Sequence, residues 1–272
     1  MRKIIFLLVI VILAACQNEQ KQSKKEDSTI AAPAKLSVDT LSFSYDSVKV
    51  YSKNPVSENK EITDTAKATV IFPVFKDAKV NDQVKKIALA ANGPDDPVFS
   101  SYQALVNDFI KGFDDYKAQY KDQQTWFKNI DIHVLGQRSN YIGLKYDFVD
   151  YSGGAHGNYA TIYLNYNPVT HEVVTLDSIL RSGTKLKLTK VAEQIFRKNE
   201  GISANQALSE GYFFEKGVFA LNENFTITNK GLNFLYNPYE IKSYAGGITE
   251  LLIPFEQIKD LLKPNPALPA IE

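Results

Sequence analysis

The 272-residue chain contains one cysteine, Cys16, one tryptophan, Trp126, and three histidines, His133, His156 and His171. A lone cysteine cannot close a disulfide within the chain, so the fold must rest on its own core. The histidines fall in no His-x-x-x-His or Glu-x-x-His spacing. The common metal signatures are therefore missing, and neither a metal nor a cofactor is expected. There is no Gly-x-Ser-x-Gly elbow, no phosphate loop and no dinucleotide fingerprint, which removes the readable routes to serine hydrolysis and nucleotide chemistry. Charge of one sign is also lacking. The 31 basic and 31 acidic residues balance, so the basic surface that a nucleic acid requires is not expected. The apolar run Ile4–Ala15 is twelve residues long, short of the roughly 20 that span a bilayer.

That run has another use. Arg2-Lys3 precede it as a positive segment, and Leu13-Ala14-Ala15-Cys16 follows at its end with the small residues and cysteine of a bacterial lipobox. Residues 1–15 read as a lipoprotein signal peptide and Cys16 as the lipidation site. Several acyl chains on that cysteine would give a stable membrane anchor. Gln17 rather than Asp follows it, which favours the outer membrane over the inner in a Gram-negative envelope. The expected location is thus the cell envelope, extracytoplasmic and lipid-anchored. Residues 16–38 are polar, charged and poor in aromatics, the composition of a flexible tether.

The rest is aromatic-rich, with 15 Tyr and 16 Phe, a usage that favours strands and half-exposed sheet faces. Period-two alternation predicts strands near 41–50, 66–75, 126–136, 140–151 and 158–166, with hairpins at 165–175 and 225–236 and a short strand at 249–254. Residues 52–63 read as a polar loop. Helical spacing predicts helices over 80–91, 102–116, 184–199 and 255–262, the first stopped by Asn92-Gly93-Pro94. Strands and helices come in blocks rather than in strict alternation. This indicates an α+β fold with antiparallel sheets, packed helices and two small sub-domains, at 39–140 and 141–265, followed by a tail over 266–272.

Two segments concentrate chemistry. In Ser152-Gly153-Gly154-Ala155-His156-Gly157-Asn158, three glycines and a histidine separate two aromatic strands. Glycines permit positive φ and close approach, and His156 could serve as a base, a ligand contact or a structural hydrogen-bonding group. In Asn237-Pro238-Tyr239-Glu240-Ile241-Lys242-Ser243-Tyr244, followed by Gly246-Gly247, tyrosines and a carboxylate surround an Asn-Pro turn, a stacking and hydrogen-bonding surface or a structural crossing. The candidate ligand-binding residues are Gly153, Gly154, His156, Asn158, Tyr239, Glu240 and Tyr244. The acidic pairs Asp95-Asp96 and Asp114-Asp115 read as loop or solvated-helix charges.

These two segments, with Leu176-Asp177-Ser178-Ile179-Leu180 between them, resemble the RsiV-like extracellular family over about 150–265. Residues 40–140 resemble the PdaC-type domain found upstream of it and at the N-terminus of a peptidoglycan deacetylase. The resemblance implies an α+β fold and a setting close to peptidoglycan; one member of the family is the extracytoplasmic part of a lysozyme-sensing anti-sigma factor. No transmembrane helix, cytoplasmic sigma-binding segment or Asp-Asp plus His-x-x-x-His deacetylase site is expected here. The expected function is a non-catalytic envelope lipoprotein binding cell-wall glycan, a muropeptide or a wall-acting protein such as lysozyme. The rival is an enzyme on wall polymers, of hydrolase or deacetylase type, using His156 and Glu240 as an acid/base pair.

Overall fold

A computed structural model describes residues 40–57, 64–90, 97–120 and 124–271. The expected signal peptide over 1–15, Cys16, the expected tether, the Asn92-Gly93-Pro94 stop and Asp95-Asp96 lie outside the described residues. The described residues belong to one compact unit, Val38–Glu272, with a six-stranded and a three-stranded sheet. None of its helices is long and apolar enough to cross a membrane.

The larger sheet takes its strands in chain order: β1 (Phe43–Pro55), β2 (Thr65–Phe75), β3 (Phe127–Arg138), β4 (Tyr141–Tyr151), β5 (Asn158–Asn167) and β6 (Glu172–Val173). Two helices, α1 (Ala78–Leu89) and α2 (Tyr102–Gln119), connect β2 to β3. Asp77 caps α1 by accepting from the Lys79 and Val80 amides, and Ser101 caps α2 by accepting from that of Ala104, each satisfying amides that the first helical turn leaves free. The apolar stripe of α1 buries Val80, Val84 and Ala88; that of α2 buries Leu105, Val106, Ile110 and Phe113. Both pack against the β-strand core around Val70, Ile132 and Leu144. The fold is α+β, as expected, and its sheet pairs are antiparallel with one exception. β2 and β3 pair in parallel, Lys67 opposite Phe127 through Ile71 opposite Asp131. A chain that leaves β2, crosses the sheet through two helices and returns beside it re-enters in the same direction.

β1 runs to Pro55, into residues that read as a polar loop. Its polar side chains have partners on α2: the Ser52 hydroxyl donates to Asp114, and Asn54 Nδ2 donates to the same carboxylate at 2.9 Å. Asp114 is thus a structural acceptor for the strand, whereas Asp115 makes an exposed pair with Lys111.

The second sheet joins β7 (Phe225–Ile227), β8 (Gly231–Tyr236) and β9 (Thr249–Pro254). The short helix α3 (Leu176–Ile179), α4 (Lys185–Glu200) and α5 (Phe255–Ile258) accompany it. α5 gives way to a 3-10 turn, Lys259–Leu261, so the helix expected over 255–262 is shorter than its apolar spacing suggests. Leu188, Ala192 and Phe196 of α4 pack with Phe234, Leu251 and Ile253 in a second core.

The position expected to divide two sub-domains, 140/141, falls at the turn between β3 and β4, inside the larger sheet. Tyr141 begins β4 yet belongs to the second core. Its buried hydroxyl donates to Asn165 Oδ1 at 2.7 Å and accepts from the Ile227 amide at 3.0 Å. The expected tail also joins the second core: Ala267 has no exposed surface, and Arg138 donates to its carbonyl at 2.8 Å.

The edge of β5 is closed in an unusual way. β6 covers it at Tyr166 and Asn167. Elsewhere asparagine side chains take the place of a strand. Asn237 accepts from the Thr161 amide at 2.7 Å and donates to the Thr161 carbonyl at 3.0 Å. Asn224 accepts from the Tyr163 amide at 2.8 Å and also donates to Thr161 O at 2.9 Å. Asn165, on β5, donates to Phe225 O at 2.6 Å. A primary amide presents the same donor and acceptor as a peptide group, so these residues blunt an open edge and stitch the β7–β8 segment onto the larger sheet.

Candidate functional site

The stitching brings the two chemistry-bearing loops together. The 152–157 loop leaves β4 at Tyr151. Gly153 and Gly154 take φ of 101° and 96°, a left-handed region that side chains disfavour. At Gly157 a Cβ would stand 2.8 Å from Asp150 O, so the returning backbone requires glycine there. His156 is thereby set at the exposed crest of the loop.

The 237–247 loop turns at Asn237-Pro238-Tyr239-Glu240, closed by the Glu240 amide donating to Asn237 O at 3.1 Å. Tyr239 has φ 68°, an uncommon conformation for a bulky residue and one that costs backbone energy. The surrounding bonds hold it, and the residue stays 57% exposed.

His156 stacks on Tyr244 with ring centroids 4.0 Å apart and planes 24° apart. Tyr159 meets Tyr244 edge-on at 5.4 Å, and the Tyr239 ring lies tilted 5.8 Å from Tyr244. These are favourable aromatic arrangements. Gly157 O accepts from the Tyr244 hydroxyl at 2.9 Å and contacts His156 Nδ1 at the same distance. A carbonyl can only accept, so this contact assigns a proton to Nδ1. In the neutral ring Nε2 is then an acceptor, with the Tyr239 hydroxyl 3.5 Å away. The product is a half-exposed aromatic face with one imidazole and two phenol groups able to exchange hydrogen bonds.

The expected residues divide. His156, Tyr239 and Tyr244 come together, with Gly153 and Gly154 shaping the loop that delivers His156. Asn158 instead faces back along the sheet, donating to Asp150 at 3.3 Å. Glu240 is not hydrogen-bonded to His156; Asn222 and Asn237 donate to its carboxylate at 3.0 and 3.2 Å. His156 and Glu240 therefore share no hydrogen bond, and the Glu240 carboxylate is held by the two asparagines. Among the described residues there is no cluster of three His, Cys, Asp or Glu side chains able to hold a metal.

Three contributors were not legible as site residues. Tyr159 carries the edge contact, and its position directly after the glycine loop was the available signal. Asn237 is the stitch itself. Lys242 fastens the second loop to α4 by donating to Glu200 at 2.8 Å, while Tyr212 donates to the same carboxylate at 2.6 Å. Burial alone would raise the Glu200 carboxyl, but the hydrogen bonds from Lys242 and Tyr212 and the Lys242 charge outweigh it and hold it below its usual value. Burial and the Glu200 contact push Tyr212 up to about 12.

Residues 59–159 match the family model described as "Deacetylase PdaC", and residues 177–256 match that described as "Protein of unknown function (DUF3298)". The PdaC match thus precedes the DUF3298 match along the chain. A DUF3298 family protein from Pseudomonas aeruginosa PAO1 shares the fold with a TM-score of 0.68 at 17% identity, over 86% of this chain and 99% of that one. A member from Bacteroides fragilis gives 0.65 at 24%, over 84% and 96%. The peptidoglycan-N-acetylmuramic acid deacetylase PdaC of Bacillus subtilis is 23% identical over 199 residues, which is 71% of this chain. The chain spans 38% of that protein's length. The glycine–histidine loop, expected to belong with the C-terminal region, falls inside the PdaC match, and the tyrosine loop falls inside the DUF3298 match. The aromatic face is thus built jointly by the two matched regions.

Proposed function

We propose that this protein is a lipid-anchored envelope lipoprotein whose aromatic face, His156 with Tyr239, Tyr244 and Tyr159, binds a cell-wall glycan or muropeptide without chemical turnover. The observation that carries the reading is the convergence of the two loops into one exposed stack. Aromatic faces with hydroxyl and imidazole groups at their edges suit a sugar ring, which has an apolar face and a polar perimeter. The likeness to a peptidoglycan deacetylase supports a wall setting, and the resemblance of the two loop motifs to the RsiV-like extracellular family fits the same setting. The lipobox at Cys16 supports an anchor with the folded part held extracytoplasmically, in the outer membrane where the cell has one.

The test is co-sedimentation of the folded protein with purified peptidoglycan, alongside pull-down on immobilised lysozyme. Retention on peptidoglycan that His156→Ala and Tyr244→Ala both reduce supports the reading. Retention on lysozyme alone replaces the glycan by a wall-acting protein as ligand. Retention on neither refutes both. Release of acetate or of new reducing ends would instead favour the enzyme, for which the activity of the Bacillus relative is the motivating observation.

A further inference from the structure

A second concavity lies away from the aromatic face, where the C-terminal segment folds back beside α3 and the 3-10 turn. It is about 620 Å³ in volume, within the range of small-molecule sites. Leu262, Leu268 and Ile271 supply apolar wall, while Arg181, Lys259 and Lys263 supply the cationic groups. Among the described residues that line it, none is acidic.

The walls are fixed. Lys263 Nζ donates to Asp177 O at 2.9 Å and Asn265 to Ser178 O at 2.7 Å, tying the segment to α3. Arg138 holds Ala267 O from the other side. Pro264, Pro266 and Pro269 line the cavity as well; their locked φ makes this wall stiff without a regular element. Arg181 Nε donates to Leu262 O at 2.8 Å, which orients the guanidinium at the cavity and uses one of its five donors. Among the described residues Lys259 has no acidic partner, in contrast with Lys185, Lys128 and Lys242, which are all paired.

Three cations around an apolar cavity in a chain of balanced charge are a local asymmetry. We propose that this cavity binds a small amphiphile with an acidic head, carboxylate or phosphate, and an apolar body of acyl-chain type. The head lies between Arg181 and Lys259, and the body lies along Leu262, Leu268 and Ile271. A free small amphiphile fits better than a membrane surface. A vesicle attracts an extended basic face, whereas the cationic groups here surround a single concavity on a chain without net charge.

Calorimetric titration of the full chain separates the two halves of the claim. Decanoate and decyl phosphate, below their micellar range, are expected to bind. Decanol, which lacks the acidic head, and acetate, which lacks the body, are each expected to bind at least about tenfold more weakly. Lys259→Glu, a reversal of an exposed side chain that keeps the backbone bond from the Leu262 amide to the residue-259 carbonyl, is expected to weaken decanoate about tenfold at low salt, with the loss shrinking as salt rises. Decanol equal to decanoate, acetate equal to decanoate, or Lys259→Glu equal to wild type would each overturn the proposal. Sedimentation with phosphatidylglycerol vesicles without decanoate binding would overturn it in favour of a membrane contact.

Discussion

The claim that asparagine side chains replace a strand at the β5 edge makes a quantitative prediction for Asn237→Ala. Thr161 is 3% exposed, and Asn237 Oδ1 is the acceptor of its amide at 2.7 Å. Removing that acceptor strands a buried N–H. The Thr161 carbonyl keeps Asn224 Nδ2 at 2.9 Å, and Glu240 keeps Asn222, so the amide dominates the cost. A stranded buried donor costs about 1–3 kcal/mol, which centres the expectation near 2 kcal/mol. For a unit of this size that corresponds to a fall in Tm of about 4–8 °C. Urea unfolding followed by circular dichroism, with the slope compared between variants, measures it. Asn237 and Asn224 share Thr161 O, so their double substitution should exceed the sum of the singles, because that carbonyl then loses both donors. Asn237→Ala within about 0.5 kcal/mol of wild type at an unchanged slope would refute the stitching argument.

Other consequences follow from the same contacts. Gly231→Ala should destabilise by about 3 kcal/mol or prevent folding, since its Cβ would stand 2.1 Å from Ile253 O across the β8–β9 pair; soluble yield and thermal melting read this out. The Glu200 carboxyl is lowered in the folded state, so the stability it contributes is fully present above its unfolded value near 4.5 and is lost as the pH falls through its lower folded value. Lys242→Met should flatten the stability-versus-pH curve in that acidic window, measurable by urea titration at pH 7 and pH 3. Tyr244→Phe should keep most peptidoglycan retention and Tyr244→Ala should lose it, because the stack on His156 survives only in the former; equal loss in both would place the binding in the hydroxyl.

Much of the secondary structure follows from periodicity because periodicity reflects burial. The stripe of α2 and the alternation of Ala66, Ala68 and Val70 in β2 point at the core they fill. Local polarity misleads where a strand's polar residues have tertiary partners, as in β1, where Ser52 and Asn54 bond to Asp114. The parallel pairing of β2 with β3 is set by the route of the chain through α1 and α2, which leaves no mark on either strand. At the candidate site, glycine and Asn-Pro patterns mark the two loops, since tight backbone geometry demands particular residues. Their meeting is not written in either loop. It depends on Asn224 and Asn237 reaching β5 and on Lys242 reaching Glu200, contacts between residues 42 to 76 positions apart. Glu240 shows the converse: a carboxylate in a suggestive sequence position whose oxygens are taken by Asn222 and Asn237.

The central claim is that the two loops form one glycan-binding face. Titration of a soluble muropeptide into isotope-labelled protein, followed by amide and aromatic NMR shifts, tests it most directly. The account predicts perturbations concentrated at residues 153–159 and 239–247, with the largest ring shifts at His156 and Tyr244, and their loss in Tyr244→Ala. Saturating shifts elsewhere on the fold, or none at millimolar muropeptide, would contradict it.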